Sequence, residues 1–471
     1  MADRGIFRVD ARPPYRGEGL SLLHGIKHAL LFNSKPKTTG FGQAIATLDQ
    51  GSEHRAFAMY AGEFKFGEET IFISAPFLFT TQLGSSAWQD SLFNLEWLAD
   101  FSSSNRQLHV YYALRLLGRW NKSKRLRKNL GVISKALIAL CTHGSGLALS
   151  ADASSQAEFL RIVSGIVART SALKARNTKE AFLQAASLLY ASTAFQGLDG
   201  LRKLACDTLN STLDQLILPD GGPASRELQD LINFMTLLLP LQAAIKLNRQ
   251  IFPTAAAEVV HRMFPFLAML TRDEDAVSNK IAALMAYDAE AKPLKLAPQT
   301  GFARLVGGKT SLFVDTKSNF HFDFAISAQR LFTSHCESPD TTVQAHLHDA
   351  AHGAALQVTS RGERERIYFL SADGTDLRVE DRFASEIEIT FSLGPLVKIA
   401  ATREGGIMVL APDQTVWNFT LRGGEAQVEQ NGTVLKIFST ASDKMNWAYK
   451  KQAKIAKSAS RKKSPEPDLL T

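Results

Sequence analysis

His352, the pair His346 and His348, and the turn residues Asp220 and Arg226 are the side chains whose types and spacing could do chemistry. Histidine takes up and returns a proton near neutral pH, so His352 is the candidate catalytic residue, as a general base or as a metal ligand. A lone histidine at a strand start also serves structure, and that reading stands beside the first. His346 and His348 alternate along an extended segment, which turns both to one face and could hold a divalent metal such as zinc or calcium. No third ligand lies within reach in sequence, so a solvated face fits the same alternation, and no cofactor is required. Arg226 could meet a substrate carboxylate through two parallel hydrogen bonds, and an ion pair with Glu227 or Asp230 would use the same group. Asp220 is the other candidate substrate-binding residue. It could equally cap the following helix, whose first position Pro223 suits.

These side chains need elements to position them. Asp220 and Arg226 sit in Gln-Leu-Ile-Leu-Pro-Asp-Gly-Gly-Pro-Ala-Ser-Arg (215–226), between helical patterns carried by Leu209, Leu213 and Leu216 before it and Leu228, Leu231 and Phe234 after it. Pro219 lacks a backbone donor, and Gly221 and Gly222 permit positive φ, so the chain must stop its helix and turn sharply. From about residue 84 to 271 apolar residues recur at three- and four-residue steps, as in Leu160, Ile162, Val163 and Ile166, and in Leu183, Ala186, Leu189 and Tyr190. Successive helices with short breaks pack as antiparallel hairpins of a bundle, a solenoid or a toroid. After 298 the period becomes two. Arg304–Val306 and Ser311–Asp315 read as a hairpin on Gly307-Gly308, and further short strands are expected at Phe320–Ile326, Arg366–Leu370, Ile387–Leu393, Ile407–Leu410 and Val416–Leu421. Such a series argues for an antiparallel sandwich. The expected organisation is a mixed segment over 1–80, a helical domain over 81–272, a linker over 273–298, a β-sandwich over 299–449 and a basic disordered tail over 450–471.

A chain of 471 residues with 45% hydrophobic residues can bury large cores. The net charge of +8 invites a polyanion, but seven basic residues fall between Lys450 and Lys463 and another cluster runs from Lys122 to Lys128. The segment 450–463 could touch anionic membrane weakly; specific nucleic-acid binding is not expected. Leu20, Leu23, Ile26, Leu30 and Leu31 lie at helical spacing and suit an amphipathic helix, docked on the body in preference to lying against a membrane surface. Neither a signal peptide nor an uninterrupted apolar run of about 20 residues is visible. Cys141, Cys206 and Cys336 are few and far apart, which argues against a disulfide framework.

The order of these features resembles the heparinase II/III family, particularly its shorter bacterial members, over roughly residues 60–450. The resemblance is carried by Phe93–Leu98, Ile217–Gly222 with Ser225-Arg226, His261–Met263, Gly301–Leu305, Ala351-His352, and Tyr368–Arg378 followed by Glu380–Arg382. It implies an incomplete α/α toroid followed by a β-sandwich, an acidic polysaccharide as partner, and a place at the cell envelope, with the cytoplasm as the alternative. It also implies lyase chemistry, in which a base removes the proton beside a uronate carboxylate and the 4-linked oxygen departs. The developing negative charge then needs a neutralising partner. Several motif positions depart from that pattern. The helix around Arg161–Arg169 has no histidine, Gln229-Asp230-Leu231 occupies the tyrosine region, His352 is followed by Gly353-Ala354, and Phe391-Ser392-Leu393-Gly394-Pro395 has lost two histidines. A non-catalytic family member that keeps the fold and acts as an acidic-polysaccharide-binding or envelope assembly module is therefore the competing expectation.

Overall fold

The change of period after residue 298 is a change of architecture: helices fill the N-terminal half and two antiparallel sheets the C-terminal half. The structure, a computed structural model, describes residues 36–452 apart from 49, 81–82, 124–128, 272–278, 318–320, 327–328, 336–342, 361–363, 402–405, 430–431 and 441–442. The amphipathic stretch Leu20–Leu31, most of the basic cluster, Cys336 and the tail beyond Gln452 lie outside the described residues. Compactness divides the chain into residues 1–208 and 209–471.

In the first unit the helices Glu53–Tyr60, Ser86–Phe93, Leu98–Ser102, Gln107–Lys122, Leu130–Ala139, Ala153–Ala172 and Thr178–Ala194 follow one another. Polar caps start several of them: Ser52, Asn129, Asp152 and Asn177 each accept from a backbone N–H in the first turn, which satisfies a donor that the helix cannot. The helix Thr178–Ala194 is buried on nearly all sides, and its alanines and serines let Leu130–Ala139 pack closely on it. Tyr190 belongs to that core, as its apolar setting in the sequence predicts. Leu130–Ala139 continues through a π-turn, Leu140–Gly144, into Ser145–Leu149. Together Leu130–Leu149 are long and apolar enough to cross a membrane, as is Leu228–Leu247 in the second unit, although no such run is evident in the sequence. In each, 56% of that apolar stretch is buried in the structure, as in core helices. Four short strands, β1 (Gly40–Phe41), β2 (Glu63–Phe66), β3 (Glu69–Phe72) and β4 (Phe195–Gln196), pair as β1 with β4 and β2 with β3.

The second unit opens with the end of the helix Asp199–Leu216, then Leu228–Leu247 and Thr254–Leu270. A further helix, Asn279–Met285, lies inside the stretch read as a linker. One sheet is built from β5 (Leu296–Ala297), β6 (Phe302–Gly307), β7 (Thr310–Asp315), β8 (Phe322–Ile326) and β9 (Gln329–His335). The other begins with β10 (Val343–Ala350), β11 (Gly353–Ser360), β12 (Arg364–Ser371) and β13 (Asp376–Phe383). The chain then crosses between them through β14 (Glu388–Leu393), β15 (Lys398–Ala401), β16 (Ile407–Leu410), β17 (Val416–Arg422), β18 (Gly424–Glu429), β19 (Val434–Ser439) and β20 (Lys444–Lys451). The orders are β18-β19-β14-β9-β8-β7-β6-β5 and β10-β11-β12-β13-β20-β17-β16-β15, all antiparallel. The Gly307-Gly308 hairpin forms as expected, with Gly307 paired to Thr310.

Strand alternation sends one face of each sheet inward, where aromatic rings interlock: Phe322 meets Tyr368 at 5.4 Å, and Phe332 meets Tyr449 at 4.6 Å. The same alternation carries charge inside. Arg364, Arg366 and Asp381 are all buried; Asp381 Oδ1 accepts from Arg366 Nε at 2.6 Å and from Arg364 at 3.0 Å, and its Oδ2 accepts from Trp447 Nε1 at 3.1 Å. Burial alone would raise the Asp381 carboxyl, but the Arg366 and Arg364 charges and hydrogen bonds outweigh it and hold the group below the usual carboxylate range. Burial pushes the neighbouring Tyr368 phenol up to about 12. We expect Asp381→Ala, which takes the shared carboxylate away from two buried guanidinium groups, to cost about 3–5 kcal/mol in denaturant unfolding. Because the folded pKa is depressed, the wild-type advantage is complete above the unfolded value of about 3.9 and is lost as pH falls through the lower folded value. Equal stability of the two proteins at neutral pH would rule this account out.

Candidate functional site

The turn that carries Asp220 and Arg226 closes on itself before it meets anything else. Leu218 N–H donates to the Gly222 carbonyl at 2.8 Å, Ala224 N–H to Leu216 at 2.8 Å, and Ile217 pairs with Pro223 as an isolated antiparallel bridge. Gly221 has φ +82°, and a Cβ there would lie 1.9 Å from the Arg262 carbonyl oxygen. A Cβ on Gly222 would lie 2.0 Å from Thr300 Oγ1. The two glycines are thus demanded by close approach to the helix Thr254–Leu270 and to the loop before β6.

That approach places Asp220 on Thr300. Its Oδ2 accepts from Thr300 N–H at 2.7 Å, and its Oδ1 accepts from Thr300 Oγ1 at 2.6 Å and Gly222 N–H at 3.3 Å. The helix-cap alternative is not what forms: the next helix starts at Leu228 with Glu227 at its cap position. Arg226, held at φ +63°, donates from Nε to the Thr300 carbonyl at 2.9 Å, pairs with Asp315, and lies 4.8 Å over the Phe302 ring. Its partner is therefore Asp315, rather than the sequence neighbours Glu227 and Asp230. Nearby, burial lowers the Lys317 ammonium and the Arg226 charge adds to it, while Asp220 and Asp315 oppose both. Arg304 completes the junction by donating to the Thr271 carbonyl at 2.7 Å and the Met269 carbonyl at 3.3 Å, at the C-terminus of the helix Thr254–Leu270. A substrate carboxylate would have to displace Asp315 from Arg226.

The histidines lie elsewhere in the sheet. His352 is the second residue of the two-residue turn between β10 and β11; its carbonyl accepts from Ala372 N–H at 3.0 Å. Its exposed ring sits 6.0 Å from the Phe369 ring. His346 and His348 share the outward face of edge strand β10, as alternation predicts, and both are exposed. Among the described residues no group of three His, Cys, Asp or Glu side chains could hold a metal ion. The carboxylate next to His348 in sequence, Asp349, pairs with Lys295 at 2.6 Å. Asp220 and Arg226 are brought together through Thr300. Among the described residues no hydrogen bond or ion pair links His346, His348 or His352 to them.

The first unit holds a further candidate, which the sequence reading did not single out. A pocket of about 210 Å³ is lined by Ala75, Pro76, Tyr112, Arg115, Leu116 and Arg119. Four of these come from one stripe of the helix Gln107–Lys122, at i, i+3, i+4 and i+7. Tyr112 donates to the Met59 carbonyl at 3.3 Å and meets the Tyr60 ring edge-on at 5.0 Å. Burial raises the Tyr112 phenol, with Arg119 pulling the other way, so it stays a neutral donor at neutral pH. In the sequence Tyr112 and Leu116 count toward an apolar face. The usable signal is the pair of arginines four residues apart beside them.

No protein-family profile matches the chain, and no curated protein matches it in sequence. Solved structures do. A heparinase III with methylated lysines superposes with a TM-score of 0.64 at 12% identity, over 86% of this chain and 85% of that one. A mutant of the heparan sulfate lyase HepC from Pedobacter heparinus gives 0.62 at 10% identity, over 86% and 83%. Another heparinase III gives 0.60 at 9% identity, over 82% and 80%. The chain therefore has the heparinase III fold, helical toroid followed by β-sandwich, as the resemblance in sequence implies.

If Asp220 is a structural clamp, Asp220→Ala should lower stability by about 1.5–3 kcal/mol in urea unfolding, because it leaves the Thr300 N–H unpaired. Unchanged stability with weakened glycan binding would return Asp220 to the substrate-binding role.

Proposed function

We propose that this protein acts on a uronic-acid-containing polysaccharide as a lyase, at the cell envelope. The observation that carries the reading is the likeness, over more than four-fifths of this chain, to structures named for heparin and heparan sulfate cleavage. In β-elimination a base takes the proton on the carbon beside the carboxylate. The electron pair left behind forms the double bond, and the C4–O bond breaks toward the leaving sugar, which takes a proton. His352 is our candidate base: its ring is exposed and makes no hydrogen bond to a described residue, which leaves it accessible to substrate. His346 and His348 offer two imidazoles with no third ligand among the described residues, and no step is assigned to zinc or calcium.

A second reading keeps the ligand and drops the reaction. It is favoured by the clamp at the turn, where Asp220 and Arg226 already serve Thr300 and Asp315. One assay separates the two. Incubation with heparan sulfate and other uronate polymers should produce the ultraviolet absorbance of an unsaturated uronate, and His352→Ala should slow it by about 10²–10⁴-fold. Full activity in His352→Ala moves the base to another residue. Binding without absorbance leaves the non-catalytic reading.

A further inference from the structure

We propose that the pocket of Tyr112, Arg115 and Arg119 is a binding subsite for one acidic sugar ring, with the two guanidinium groups receiving its carboxylate or sulfate. The proposal rests on the acidic-polysaccharide reading above and names where that ligand is held.

Charge is the first argument. Arg115 and Arg119 lie one helical turn apart on the pocket wall, and neither forms a hydrogen bond or ion pair with a described residue. Several arginines in the same unit have carboxylate partners, Arg55 with Asp100, Arg161 with Glu158 and Arg176 with Glu180, whereas Arg202, which like Arg115 and Arg119 has none among the described residues, buries its guanidinium nitrogens away from solvent. A place in the last helical turn accounts for a cation at 119 through the helix dipole, but Arg115 lies a turn earlier and gains less there. Two like charges at i and i+4 repel, and an anion between them relieves that repulsion. Guanidinium groups also match the planar fork of a carboxylate or the oxygens of a sulfate.

Shape and surface are the second argument. The pocket's 210 Å³ falls below the roughly 300 Å³ where drug-sized sites begin, which suits one ring of a longer chain. Leu116 with Ala75 and Pro76 supplies apolar wall. Tyr112 lines the pocket, and the Tyr60 ring beside it is 41% exposed. Aromatic faces of this kind pack against the C–H face of a pyranose while polar groups fix its orientation.

The test is calorimetric titration of the full chain with a heparan-sulfate hexasaccharide at about 0.15 M salt, where unspecific surface attraction is screened. Arg115→Ala/Arg119→Ala should bind about tenfold or more weakly, with an unchanged melting temperature. Lys135→Ala/Lys203→Ala removes the same formal charge from exposed positions on other helices and should shift affinity by less than about twofold. If the alanine variant loses helix content, Arg115→Gln/Arg119→Gln takes its place with the same expected loss. Undiminished binding by the folded double variant overturns the subsite and leaves the proposed function standing. An equal loss for a single-stranded oligonucleotide of matched charge also overturns it, since bare charge would then suffice. If the wild type neither binds nor cleaves any acidic glycan, the functional reading itself fails and the subsite goes with it.

Discussion

The close approach of Gly221 and Gly222 to their neighbours is the constraint on which the second unit depends. A turn that comes within contact of a helix carbonyl and a threonine hydroxyl has no room for a Cβ at either position. That proximity lets one carboxylate, Asp220, take the backbone and the hydroxyl of Thr300 together. It also sets Arg226 in a left-handed conformation costing on the order of 1 kcal/mol. Its bond to the Thr300 carbonyl, its pairing with Asp315 and its packing over Phe302 offset that cost. From Thr300 the chain enters β6, and Asp315 ends β7, so the turn fixes the helices onto the first hairpin of the sandwich. Arg304 on β6 does the same from the other side, through the last carbonyls of Thr254–Leu270.

Within the sandwich a second constraint acts. Arg364 and Arg366 point inward from β12 and share Asp381 on β13, which gathers three charged groups in a dry place. Trp447 and Tyr368 surround the group with an N–H and a hydroxyl, Tyr368 lying 3.3 Å from Arg366. A hydrophobic trio of the same volume would cost less desolvation, so the arrangement is better understood as fixing which strands pair and in what register. β12 is also the strand against which β11 and its His352 turn are laid, with Gly353 opposite Ser371. A fixed β12 therefore fixes where that histidine stands.

How much of this was legible in the sequence follows from the range of each interaction. The helical period before 271 and the period of two after 298 are local patterns, and both became the elements they predicted. The Gly307-Gly308 hairpin is local too. The turn at 215–226 was legible as a turn. Its role was not, because its partners Thr300 and Asp315 lie 80 and 89 residues beyond Asp220 and Arg226 respectively. Helix capping and ion pairs with near neighbours were the only partners sequence could offer. The arginine pocket was hidden for a similar reason: its wall at Ala75 and Pro76 comes from a loop, and arginines spaced by four on a helix look like any solvated face.

Two sets of arginines among the described residues contrast, and the contrast bears on chemistry. Arg226, Arg304, Arg364 and Arg366 neutralise the protein's own carboxylates or carbonyls, and their geometry serves the fold. Arg115 and Arg119 serve no described carboxylate and stand beside aromatic and apolar wall. Elimination from a uronate needs positive charge near the carboxylate as the adjacent proton leaves, and a cation already paired inside the protein can supply it only by breaking that pair. The cations that can meet an acidic polymer at least cost are those without such a pair. On this ground the proposed subsite at Arg115 and Arg119, unlike the glycine turn that marks the fold in sequence, would take an acidic sugar without breaking a described ion pair.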